Sequence, residues 1–101
     1  MNIIQLPNLK ENANIARPVI IGTKSYMFNF KWIDTFCLLD IMLKDQYLVK
    51  GRAITTGSNL IARVKNDELI TGSLFLINKY NNSTEPTQET FNTDYYLVWM
   101  E

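Results

Sequence analysis

Two residues of this 101-residue chain have a type and setting that invite a chemical reading: Cys37, its one cysteine, and Asp40, a carboxylate inside the apolar run Thr35–Leu43. A reactive thiol needs neighbouring positive charge or a helix start to lower its pKa. Neither is visible around Cys37, which reads as a buried, inert thiol. Asp40, between Leu39 and Ile41, has the setting of an acid whose pKa is raised by burial. The plainer reading is a carboxylate at a solvent edge or bonded to backbone amides, and no second carboxylate stands at a spacing that suggests a catalytic pair. The chain has no histidine. That removes Ser-His-Asp and Cys-His nucleophile systems, histidine acid–base catalysis and almost every zinc or non-haem iron site. Gly22, Gly51, Gly57 and Gly72 stand singly, as turn and bulge positions rather than as a phosphate-cradling loop. Asn81 and Asn82 each match the N-glycosylation acceptor pattern, with Ser83 and Thr84 supplying the hydroxyls; in a polar loop without an export signal such matches arise by chance. The expectation is a protein that is not an enzyme and carries no metal and no cofactor.

The strongest pattern in the chain is aromatic. Tyr26, Phe28, Phe30 and Trp32 alternate with Ser25, Met27, Asn29 and Lys31, a period of two that puts every aromatic on one face of a strand. Such a face can stack bases or sugars, as strands of OB-type folds do. It can equally be a hydrophobic core. Stacking platforms come with basic neighbours, and only Lys24 and Lys31 are near, so the core reading is favoured.

Around this strand the chain reads as all-β. Residues 1–14 are largely polar, with Ile3, Ile4 and Leu6 as their main apolar group, and suggest an extended N-terminal arm, or a short first strand, followed by a linker with Asn8, Asn12 and Asn14. Residues 15–101 form a single β domain. Pro18–Ile21 is a β-branched run closed by a turn at Gly22-Thr23-Lys24. After the aromatic strand and a short connection at Ile33-Asp34, Thr35–Leu43 is apolar on both faces, which suits a central strand covered on both sides. Lys44-Asp45-Gln46 is a turn. Tyr47–Ile54 is a further strand, with Gly51 a candidate bulge. Thr55–Asn59 is a loop, Leu60–Val64 is ambiguous, Lys65–Glu68 is a turn and Ser73–Ile77 a strand. Tyr80–Thr90 is a polar loop, long for a domain of this size. Asp94–Met100 is a dense last strand that must be buried. The sum is a small antiparallel barrel or sandwich of about six or seven strands, with no convincing amphipathic helix.

Bulk properties narrow the partners. Ten Lys plus Arg balance ten Asp plus Glu, so no charge excess draws the chain to nucleic acid or anionic lipid. No window approaches the ~20 apolar residues that span a bilayer. The N-terminus lacks a charged start, and Pro7 breaks its apolar run, so synthesis in the cytoplasm is expected. A chain of this length buries only roughly 60–70% of its unfolded surface, so packing against partners would add much to its stability.

From about residue 15 to 101 the order of features resembles the small baseplate plug proteins of contractile-tailed phages. The residues that carry the resemblance are VIIGTKSYMFNFKW, TFCLLDIML, YLVKGRAITTGSNLI, ELITGSLFLIN and TDYYLVWME. The most telling are Gly51 followed by Gly57-Ser58-Asn59-Leu60-Ile61, and the terminal Asp94–Trp99. The sequence departs from the family pattern in its long N-terminal arm and in having Cys37 where a Trp or Tyr often sits. The resemblance implies a structural component of the tail baseplate of a virion, near the tail axis, that binds hub and tail-tube proteins, is present in several copies and has no active site. The expected contact residues are Ile3, Ile4 and Leu6 of the arm and Tyr80, Asn81 and Asn82 of the polar loop. The rival reading is an OB-like module that engages single-stranded nucleic acid or a glycan through the aromatic strand face.

Overall fold

The computed structural model describes residues 2–62, 70–80 and 84–101. Among these the elements are, in chain order, β1 (Asn2–Ile4), β2 (Asn14–Ile21), β3 (Lys24–Ile33), β4 (Phe36–Leu43), β5 (Gln46–Ala53), β6 (Ser73–Asn78), the single-turn helix α1 (Phe91–Asp94) and β7 (Tyr95–Met100). They form two antiparallel sheets, one ordered β2-β3-β4-β5 and the other β1-β7-β6. The sheets do not close on each other, so the expected all-β fold is a sandwich and not a barrel.

The period of two in β3 sets the inside of the first sheet. Tyr26, Phe28, Phe30 and Trp32 are all buried. The register places Trp32 opposite Cys37, Phe30 opposite Leu39 and Phe28 opposite Ile41, and these partners are buried too. Leu74 and Leu76 of β6 and Tyr95 and Leu97 of β7 complete the same cluster from the other sheet. Two-residue turns join the first four long strands. Each starts with a residue at positive φ, Gly22 at 64°, Asp34 at 56° and Lys44 at 56°, the backbone handedness that matches the twist of the flanking strands. The bulge expected at Gly51 is present. The β4–β5 register shifts on either side of Ile41, Gly51 has φ 66°, and its amide donates to Asp40 Oδ1 at 2.6 Å.

The structure refines several expectations. Of the two readings of residues 1–14, an arm or a short first strand, it has the short first strand. β1 pairs with β7 (Ile3 opposite Val98), and Ile4, Leu6, Pro7 and Leu9 are buried. Asn8 and Asn12 lie in the expected linker, but Asn14 is already strand, because β3 is long enough to pair as far as Asn14 opposite Lys31. β4 is not covered on both sides. Cys37, Leu39 and Ile41 face the core, but Phe36 is 41% exposed and Leu38, Asp40 and Met42 are half-buried, since the described chain has no layer outside this sheet.

Part of the polar loop is tied to the domain. Pro86 is buried, Tyr95 Oη donates to the Thr84 carbonyl at 2.6 Å, and Gln88 Nε2 donates to the Leu9 carbonyl at 2.6 Å. The Thr87 amide donates to Thr90 Oγ1 and the Thr90 amide to Thr87 Oγ1, and this reciprocal pair leads the chain into α1. Phe91 on that turn is completely buried. The turn expected at Lys65–Glu68 lies outside the described residues.

One glycine is required by its surroundings. Gly72 has φ 83°, and a Cβ there would overlap the Met100 carbonyl oxygen and press on the Trp99 ring. Gly57 has a similar φ of 79° but open space around it. Gly57→Ala should therefore cost about 1 kcal/mol, the left-handed backbone penalty alone. Gly72→Ala should cost about 3 kcal/mol or more, because overlap adds to strain. Urea denaturation of the two variants measures the difference.

Candidate functional site

The residues with chemical potential are placed for structure. Cys37 is 1% exposed; its thiol lies 3.6 Å from the Leu38 carbonyl oxygen. Burial pushes the thiol up to about 12, against a smaller opposing effect of a hydrogen bond with the Lys31 backbone. Asp40 bonds to the Gly51 amide, the backbone role that was the plainer reading of this residue. Charge-assisted hydrogen bonds of this type hold a bulge in place. Among the described residues no group of three or more His, Cys, Asp or Glu could hold a metal ion. No helix among them is long and apolar enough to cross a membrane.

The aromatic face is the core. Tyr26, Phe28, Phe30 and Trp32 range from 0% to 8% exposed. Phe91 meets Phe30 at 6.1 Å between ring centroids and Trp32 at 6.0 Å, both edge-on. The Trp32 indole N–H donates to the Asp34 carbonyl at 2.9 Å. No base or sugar can reach these faces without opening the sandwich.

The accessible apolar groups lie outside the sandwich. On the four-stranded sheet, Pro18, Met27, Met42 and Tyr47 are register partners in succession, a row that crosses every strand, about 14 Å at the usual strand spacing. Met27 is 42% and Tyr47 48% exposed. The Lys50 ammonium sits 4.7 Å from the centre of the Tyr47 ring. Ala16, Asn29 and Asp40 make the next alternate row on this face. Beyond it Ile33 and Phe36 pair at the far corner, both partly exposed. On the other sheet Ile3, Val98 and Phe75 form a row in which Ile3 is exposed, Phe75 half-buried and Val98 buried, with Ile77 and Met100 exposed beside them. Exposed apolar groups therefore stand on both outer faces of the sandwich.

Against this geometry the expected contact residues divide. Ile3 is 58% and Tyr80 71% exposed, available for contact. Ile4, which β1 sets opposite Leu97, and Leu6 just beyond that strand belong to the chain's own core at 8% and 5% exposure. Asn81 and Asn82 lie outside the described residues. Sequence reasoning missed Met27, Met42, Tyr47 and Phe36 as surface groups. The signal was present in the apolar second face of Thr35–Leu43, which reads equally as core or as interface.

Cys37 yields a pH-dependent expectation. Its raised folded-state pKa means folding favours the protonated thiol. That stability is intact below the ordinary value of 9.0 and is lost as the pH climbs from there toward about 12. Between about pH 8 and pH 10 the native chain should lose about 1 kcal/mol more than Cys37→Ala, as measured by denaturant titration at each pH. The folded protein should also leave a thiol-specific reagent unreacted until it unfolds.

Compared with protein families, the chain matches over residues 1–101 the family described as cyanophage baseplate Pam3 plug gp18. No curated protein matches it.

Proposed function

The chain belongs to this phage baseplate plug family, and on that footing we propose that it binds hub and tail-tube proteins near the tail axis of a contractile particle and helps to close the tail lumen. The single observation that carries this reading is the apolar surface on both outer faces. The row Pro18–Met27–Met42–Tyr47 lies on one sheet, and Ile3, Ile77 and Met100 are exposed on the other. A protein lodged between neighbours needs contact on opposite sides, and a protein that binds one partner needs it on one. Opposed contact surfaces also fit a chain present in several copies around an axis, where each copy meets unlike neighbours. Ile3 and Tyr80, with Asn81 and Asn82, remain the contact residues that the sequence proposes within those surfaces.

The role is structural. The chemistry-bearing side chains described above are committed to the core and to a bulge, which supports a part that works by contact and not by turnover. The OB-like alternative loses its site, since the aromatic face it requires is covered by Phe91 and the opposite sheet.

Quantitative mass spectrometry of purified tail particles, after lysine cross-linking, tests the reading. Lys24, Lys31, Lys44, Lys50 and Lys79 are exposed and sample different sides of the domain. The expected result is a few copies per particle, with links from both faces to hub or tube polypeptides. Absence from particles would contradict the reading, as would links from one face alone.

A further inference from the structure

The sandwich is open along one seam. Among the described residues β1 is bonded only to β7 and β2 only to β3, so each presents a free edge there, and these two edges flank a groove of about 490 Å³. Asn2–Gln5 form one wall and Arg17–Ile20 the other, with Phe30 beneath. One contact ties the walls together, from Asn2 Nδ2 to the Ile20 carbonyl at 3.3 Å. Ile3 and Ile20, at 58% and 68%, are among the most exposed apolar side chains described. In an antiparallel pair every second residue of an edge strand turns its N–H and C=O away from its partner, so β2 offers backbone groups into this space. Pro18 removes one donor and leaves the others.

Arg17 says what kind of chain fits. It stands opposite Phe28 in the register, and Phe28 is fully buried, so Arg17 lies on the core-facing side of β2. It is nonetheless exposed, because no part of the described chain covers that corner. No carboxylate pairs with it among the described residues. An inward-facing charge on an edge strand repels unsuitable strands. It does so selectively, since a segment bringing a carboxylate gains a charge-assisted pair.

We propose that this groove receives an extended, carboxylate-bearing segment of a different baseplate protein, which adds to the β2 edge and places its acid opposite Arg17. The inference rests on the baseplate reading above and names the partner's chemistry at one of its contacts. β-Strand addition supplies affinity through the main chain, and alternate side chains supply specificity. The wall Asn2–Gln5 corresponds to an extended segment about 13 Å long. A second copy of this chain is a poor occupant. Its open β2 edge would bring a second Arg17 into the same seam, and its β5 edge carries Lys50 and Arg52, and like charges brought together across strands are destabilising. Its β6 edge is already engaged, by the Leu60 amide on the Leu74 carbonyl at 2.8 Å and by the bridge from Thr56 to Leu76.

The test uses tail particles assembled with a chain carrying the photo-cross-linker p-benzoylphenylalanine at position 20 or, separately, at position 3. Both positions should link to the same short segment of one other baseplate protein, a segment containing Asp or Glu. Arg17→Glu should lower incorporation into particles about tenfold while the thermal midpoint of the free protein is unchanged. Arg17→Lys should stay within about twofold of the native chain. Links to another copy of this chain, or no link from a chain that is present in particles, overturn the groove proposal and leave the baseplate reading standing. So does undiminished incorporation of Arg17→Glu. Absence of the native chain from particles overturns both.

Discussion

Phe91 sets its ring edge-on to Phe30 and to Trp32, and that three-ring contact couples the two sheets. Pairs of this geometry contribute about 0.5–1.5 kcal/mol each beyond the area they bury. The contact joins the strongest pattern in the chain, the aromatic stripe of β3, to a single helical turn that feeds β7. It accounts for the fastening of residues 84–90, since the turn can present Phe91 only if Thr84, Gln88 and the Thr87–Thr90 pair are fixed. With its edges and faces packed, the aromatic stripe has nothing to offer a base or a sugar.

The exposed outer faces follow from the size of the domain. In a chain of 101 residues the described residues build two thin sheets, with no third layer among them to cover the outer faces. The outward rows through Met27 and Met42, and through Ile3 and Phe75, are therefore left to solvent or to neighbours. For a free-standing protein that arrangement is a liability for aggregation. For a component of an assembly it is a means of attachment, and the family to which the chain belongs is one of baseplate plugs. The open seam between β1 and β2 has the same origin, because short β1 cannot close the sandwich along the whole of β2.

Much of this is legible in the sequence. The alternation in Ser25–Trp32 fixed the buried face, the turns at Gly22, Asp34 and Lys44 stand where their residues suggested, and Gly51 is a bulge. The inward packing of Ile4, Leu6 and Leu9 was not legible, since three apolar residues scattered among asparagines carry no period. Phe91 was hidden for a related reason, as one turn of helix is too short to show a repeat. The second face of β4 was visible as apolar and misread as covered. Periodicity tells how many faces a strand has, and only the number of layers tells which faces meet water. Arg17 gave no signal at all, because its meaning depends on which side of β2 it occupies and on what fails to cover it.

Hydroxyl-radical footprinting of the free chain and of assembled tail particles, read residue by residue by mass spectrometry, tests the central claim most directly. In the free chain Met27, Tyr47, Ile3 and Met100 should be oxidised, while Tyr26, Phe28, Phe30 and Phe91 stay protected. In particles Met27, Tyr47 and Ile3 should become protected and the core aromatics remain so. Equal oxidation of Met27, Tyr47 and Ile3 in both states, or oxidation of the β3 aromatics in the free chain, would contradict the account.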